Sequence, residues 1–269
     1  MTGQMKIMRL WKIRDLFEIL NAIFSKFYNP FENLDIDEVI LSFKGKVIFK
    51  QYIPKNASVS ASKFSNFVTR LDTHMIYLGK GRQRTAQHVT ATHVTVTELT
   101  RKRGRGHKLY MDNFFSSPEL FDDLVKKQIY CCGTVRLNRK CMTQDLRPKT
   151  TKLKMGDICI RTRANLTAIQ WQDKRDICLL TNINDAPVED NFCNDGGKAI
   201  KLHIVMDYNH HMDYVDKGDR MANSYSNSRH MFKWTKQLFF HLLDLAILNS
   251  CILHSSCGGK KMSHNVHVP

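Results

Sequence analysis

The stretch that most restricts the fold is HKLYMDNFFSSPELFDDLVKKQIYCCGTVR, residues 107–136. HKLYMD is short and apolar, as a strand is, and QIYCCGTVR (128–136) is a second such run. Between them SSPEL opens a helix, with Ser117 as N-cap, Pro118 at the first helical position and Glu119 in the first turn. That helix is expected to reach about Lys127. A strand, a helix and a strand in so short a run call for a sheet with helices packed on it, the α/β arrangement.

The remaining segments extend this pattern. RLWKIRDLFEILNAIFSKFY (9–28) carries apolar residues at three- and four-residue spacing, an amphipathic helix that NPFENL stops. VILSFKGKVIFKQYIP (39–54) reads as two short strands ending at Pro54, and HMIYLGK (74–80) as a strand entering a glycine turn. The Ser-rich run 57–68 and the β-branched run 85–100 are open between helix and strand. DICIRTR, LTAIQWQ and RDICLLT alternate over short lengths and are split by AN and DK, an antiparallel meander. A polar loop (182–198) leads to an expected strand at 201–206, then helices at about 212–225 and 235–253. The whole order fits a mixed sheet interrupted by an insertion.

Lys and Arg number 41 against 25 Asp and Glu, a formal charge of +16. The excess is concentrated in KGRQR (80–84), RKRGRGHK (101–108) and RLNRKCMTQDLRPKTTKLK (136–154), which points to a polyanionic partner, nucleic acid first. Lys80, Arg82, Arg84, Arg101, Lys102, Arg103, Arg105, Arg136, Arg139 and Lys140 are the candidate DNA contacts. The first two runs also have the composition of nuclear localisation signals. The eight cysteines are scattered without a disulfide framework, so reduced thiols are expected. Cys251, His254 and Cys257 do not match paired zinc-ligand spacing, so no zinc module is expected. The late apolar run LFFHLLDLAILNSCIL is interrupted by His241, Asp244 and Asn249, which speaks against a membrane span; a soluble chain is the expectation.

Two acidic features stand out. Asp112 follows an apolar strand and precedes a capped helix, where α/β sheets place functional carboxylates. Taken alone, the simpler meaning is that it orders the turn before the helix. MDYVDKGDR (212–220) sets Asp213, Asp216 and Asp219 three apart, on one helical face. By spacing alone the simpler meaning is a solvated face balanced by Lys217 and Arg220.

These blocks carry a resemblance. YMDNFFSSPELFDDL, YCCGTVRLNRK, WQDKRDICLLT, DYNHHMDYVDKGDRM and KWTKQLFFHLLDLAILNSCIL are similar, in order and spacing, to blocks of the piggyBac-type transposases and the host proteins derived from them. RLWKIRDLF, LDIDEVILSFKGKVIFKQYIPK and IYLGKGR resemble the segment before and around that family's first catalytic acid. The resemblance implies an RNase H-like (DDE transposase/integrase) core at 61–138 and 203–224, split by a β-rich insertion at 139–202. Flanking helical segments at 1–60 and 225–257 would form a dimerisation and DNA-binding domain, followed by a tail at 258–269. It further implies cut-and-paste DNA transposition, with carboxylates holding Mg²⁺. Asp112 and Asp216 match the second and third catalytic acids and metal ligands, and Asp219 a further acid beside them; Asp213 matches nothing. The first acid is expected in a CDS-x-TGY-like block, and SASKFSNFVTRLDTHMIYLGK places Phe64 or a neighbouring residue there instead.

The expectation from these residues is therefore a nuclear, DNA-binding, piggyBac-derived protein, with homodimerisation through its helical segments and catalysis impaired for want of one acid. No small-molecule substrate and no membrane partner is implied. An active enzyme with Asp72 completing the triad is one alternative, and a protein-interaction module without DNA binding is another.

Overall fold

The computed structural model describes residues 12–27, 32–42, 61–68, 74–75, 90–101, 106–143, 146, 153–185, 201–212 and 233–258, with the backbone alone for 38–42, 61–68 and 74–75. The chain divides into two compact units, one of Phe31–Asp37 with Thr85–Asp213, the other of Met1–Pro30, Glu38–Arg84 and Tyr214–Pro269.

The first unit is built on a six-strand mixed sheet in the order β1-β4-β5-β8-β7-β6. Its strands are β1 (Asn33–Ser42, of which 33–37 lie here), β4 (Lys108–Met111), β5 (Tyr130–Thr134), β6 (Ile158–Arg163), β7 (Leu166–Gln172) and β8 (Asp176–Thr181). β1, β4 and β5 run parallel, and β8, β7 and β6 continue from β5 as an antiparallel meander. The three segments expected as a meander thus extend the same sheet as the parallel strands.

The parallel step from β4 to β5 requires a crossover, and helix α3 (Pro118–Val125) makes it. The Ser117 side chain caps α3 by accepting from the Leu120 amide at 3.4 Å, with Pro118 at the first helical position. Leu120, Phe121 and Leu124 are fully buried beneath it. Helix α2 (Ala91–Thr100) resolves the run left open between helix and strand. Thr90 caps it, accepting from the His93 amide at 3.3 Å. Thr95 and Thr100 each donate a hydroxyl to the carbonyl four residues back, at 2.9 Å, so their polar groups are satisfied within the helix. Burial of Val96 and Leu99 then outweighs the β-branched preference for strand.

The opposite face of the sheet is closed by α4, a helix over 203–212. This overturns the expected strand at 201–206. Leu202, Ile204 and Val205 are buried, with Tyr208 and Met212 packed against the same cluster, a helical spacing rather than an alternation. Their partners are Tyr110, Cys132, Ile158, Ile169, Trp171 and Leu179, one side of five strands. The helix expected over 212–225 lies, past residue 212, outside the described residues.

In the second unit, α1 (Arg14–Phe27) and α5 (Trp234–Ser256) share a core of Ile13, Leu238 and Leu242, joined by Leu16, Phe17, Leu20 and Trp234. β2 (Ala61–Val68) and β3 (His74–Met75) pair antiparallel, so the Ser-rich run is strand over 61–68, its first residues lying outside the described ones. The late apolar run lies in a helix of 23 residues whose most apolar stretch has a mean hydropathy of 1.5, long and apolar enough to cross a membrane by those two measures despite its polar interruptions. His241, Asp244 and Asn249 are buried on it, and Leu238 and Leu242 pack against α1, while Phe239, Leu243 and Ile247 are exposed.

Candidate metal and nucleic-acid site

The first unit places Asp112 one residue beyond β4. Its Oδ1 accepts from the Phe114 amide at 2.6 Å, and its carbonyl oxygen accepts from the Ser116 amide at 3.1 Å and the Ser116 hydroxyl at 2.9 Å. Asp112 therefore does order the turn, through one carboxylate oxygen and its carbonyl. That turn lies against Gly133 of β5, the parallel partner of Met111. A Cβ at residue 133 would lie 2.6 Å from the Met111 carbonyl oxygen and collide with the Ser116 hydroxyl, so glycine is what lets the turn approach.

The strand beside β4 that carries carboxylates is β1. β4 has β1 on one side and β5 on the other, so both of its edges are taken, and Phe64 stands on neither neighbour. In the β1–β4 register Asp35 faces Tyr110 and Ile36 faces Met111. Asp37 and Asp112 are the next residue of each chain, just past the last paired position. The two-residue period of a strand puts Asp37 on the Tyr110 face, the face that α4 covers. Tyr208 of α4 senses both acids: burial above all pushes its hydroxyl's pKa up, the Thr134 hydrogen bond opposes this, and the charges of Asp112, Cys132 and Asp37 add to the rise. The Tyr208 hydroxyl lies 3.3 Å from Thr134 Oγ1, at the end of β5. The blocks compared in the sequence left Asp37 without a role. The available signal was the alternation Asp35, Asp37 inside the otherwise apolar run NLDIDEVILS.

Two of the candidate DNA contacts brace the Asp112 turn. Arg136 donates from Nε to Asn113 Oδ1 at 3.0 Å, and Arg139 donates from Nη2 to the carbonyl oxygens of Asn113 and Phe114 at 2.9 and 2.6 Å. Burial, then the Arg136 charge, hold the Arg139 pKa below its ordinary value, while the Asp112 carboxylate pulls the other way. Lys140 is engaged by Glu119 at 3.1 Å, and Arg101 lies 3.6 Å from Glu98. Lys80, Arg82, Arg84, Lys102, Arg103 and Arg105 lie outside the described residues, as do Asp72, Asp213, Asp216 and Asp219.

Among the described residues no group of three or more His, Cys, Asp or Glu side chains is arranged to hold a metal. Asp37 and Asp112 supply hard carboxylate oxygens, the donor type Mg²⁺ takes, and such a site needs only one or two of them beside water and phosphate.

The family model described as Transposase IS4 matches residues 3–251. Human PiggyBac transposable element-derived protein 5 is 26% identical over 171 residues, 61% of this chain and 31% of that protein. A cryo-EM structure of a piggyBac transposase synaptic complex with hairpin DNA superposes with a TM-score of 0.76 at 26% identity, covering 93% of this chain and 53% of that one. The chain thus spans under a third of the human relative and about half of the solved transposase.

Proposed function

The chain belongs to the Transposase IS4 family, resembling its piggyBac-type members, and from that premise we propose a DNA-binding protein with an RNase H-like core whose divalent-cation site is carried by Asp37, Asp112 and Asp216. The β1–β4 register, which carries Asp37 alongside Asp112, is the observation on which the reading rests. Asp37 takes the place of the first acid that seemed lost at Phe64, so neither an impaired enzyme nor a substitution by Asp72 is needed. Asp216 and Asp219 enter from their match to the family's later acids.

Mg²⁺ at such a site supplies a Lewis acid that activates water or a 3′-hydroxyl against a phosphodiester. The chain's own residues do the rest. Asp37 from within β1 and Asp112 from just past β4 present oxygens, and Gly133 and Ser116 hold the Asp112 turn tight. Arg136 and Arg139, already bonded to that turn, set positive charge at its rim, where a phosphate backbone would approach. Nuclear localisation follows from a DNA substrate and the basic runs. Homodimerisation is assigned to the α1–α5 unit.

A metal-dependent nicking assay on supercoiled DNA tests the site, with wild type compared to Asp37→Asn, Asp112→Asn and Asp216→Asn. Cleavage is expected in wild type alone. Full activity in Asp37→Asn, with loss in the other two, refutes the role given to Asp37. Filter binding over a salt series tests the rim: Arg136→Ala is expected to weaken binding to all sequences and lower the salt slope by about 1.

A further inference from the structure

Helix α4 carries an acid that the proposed site does not use. Side chains from three elements converge on Asp207. Tyr110 of β4 donates its hydroxyl to Oδ2 at 2.9 Å, and Asn184, after β8, donates from Nδ2 to the same oxygen at 3.4 Å. His211, one helical turn on, sets Nδ1 3.2 Å from Oδ1 and 2.9 Å from the Asp207 carbonyl oxygen. The His211 ring also stacks on Tyr110, with centroids 4.4 Å apart and planes 13° from parallel. The next residue, Tyr208, reaches Thr134 of β5. Two consecutive side chains of α4 are thus bonded to two neighbouring strands.

Apolar contacts alone would keep α4 on the sheet, since Leu202, Ile204 and Val205 are already buried there. Such contacts are non-directional, however, and leave rotation and sliding of a helix weakly determined. A carboxylate gathering three donors in a low-dielectric setting determines both. Tyr110 lies two residues before Asp112, on the face of the sheet that α4 covers. A shift of the Tyr110 side chain is therefore transmitted along two residues of strand to the Asp112 carboxylate, and a rotation of α4 moves the Tyr208 hydroxyl away from Asp37 and Asp112.

We propose that Asp207 is a positioning residue for the Asp37/Asp112 cation site: through Tyr110 and His211 it locks α4 and β4 in the one arrangement that gives the site its affinity. The inference rests on the cation-site reading above. Its test is titration of the full chain with Mn²⁺ alone, following loss of the free-ion EPR signal. Wild type, Asp207→Asn, Tyr110→Phe and the double variant are compared well below their melting temperatures. Each single change is expected to weaken Mn²⁺ binding about tenfold, the lower end of what outer-shell partners of metal ligands contribute. The double variant should lose less than the product of the two single losses, because the Tyr110–Asp207 contact is common to both changes. Tyr110→Phe removes only a hydroxyl, so it carries the test should Asp207→Asn fail to fold. Lowered melting temperatures with unchanged Mn²⁺ affinity overturn the proposal, since the contact then serves stability alone. Losses that add in the double variant overturn it too. An Asp112→Asn arm separates the two readings. If that variant loses Mn²⁺ while Tyr110→Phe and Asp207→Asn keep it, the cation site stands and the positioning role falls. If Asp112→Asn binds Mn²⁺ as wild type does, the cation site is wrong and this inference falls with it.

Discussion

Gly133→Ala is the substitution that most directly tests how the site is built. The added methyl would collide with the Ser116 hydroxyl and stand 2.6 Å from the Met111 carbonyl oxygen, with the Met111 carbonyl carbon at 3.4 Å. Neither neighbour can yield freely. Ser116 is fully buried and donates to the Asp112 carbonyl oxygen, while the Met111 carbonyl belongs to the strand paired with Gly133 itself. Overpacking of this kind costs about 1–3 kcal/mol, and loss of the Ser116 hydrogen bond adds about 1 kcal/mol. A total of roughly 2–4 kcal/mol is a large part of a domain's net stability of about 5–15 kcal/mol. For a unit of this size it should lower the melting temperature by roughly 5–15 °C. Calorimetry reads that shift, and Mn²⁺ titration reads its second consequence, a weaker site, because the turn that moves is the one bearing Asp112. Ser116→Ala added to Gly133→Ala removes the hydroxyl but leaves the carbonyl. The double variant should therefore be less destabilised than the sum of the singles, by about 1 kcal/mol. A Gly133→Ala chain that melts within a degree of wild type and keeps its Mn²⁺ affinity would refute the close approach.

Other outcomes follow from the same coordinates. Ala164 turns the β6–β7 hairpin with φ +50, between the paired residues Arg163 and Leu166, so Ala164→Gly should raise stability by about 1 kcal/mol in urea unfolding. Burial pushes the Cys132 and Cys178 thiols up to about 12. Each pKa is raised above its unfolded value, so the stability these thiols contribute is whole below about pH 9 and is lost as pH climbs from 9 towards 12; urea midpoints should fall across that window. In the native chain at pH 8, a thiol reagent should reach the exposed Cys141 and Cys257 quickly, and the fully buried Cys131 and Cys132 only after unfolding. Ser117→Ala should cost about 1 kcal/mol through loss of the α3 cap, measured by the same unfolding curves.

The elements legible in the sequence are those whose local chemistry and tertiary fate agree. Ser117 and Pro118 start α3 by capping rules that need no knowledge of the sheet, and the meander strands alternate and turn at short polar breaks. Where the two levels disagree, the sequence misleads. KLHIVM is β-branched enough to read as a strand, yet the sheet's open face demands a helix there, and burial of Leu202, Ile204 and Val205 meets that demand. TATHVTVTELT, which the sequence left open, goes the same way: Thr95 and Thr100 bond back to their own helix, and Val96 and Leu99 are buried.

The site shows the same division in sharper form. Asp112 is legible because strand, acid and capped helix follow one another in the chain. Asp37 is not, because what makes it significant is pairing with a strand some seventy residues later, and no local pattern announces a parallel neighbour. An acid in a strand is normally disfavoured, and Asp35 and Asp37 occupy two positions on the face that α4 closes, one of them almost completely buried. Asp35 and Asp37 alternate with Ile36 along β1, and only the pairing of that strand with β4 brings them beside the strand that leads to Asp112. Searching the sequence for a motif at one fixed offset located Phe64; asking which strand must lie beside Asp112 locates Asp37.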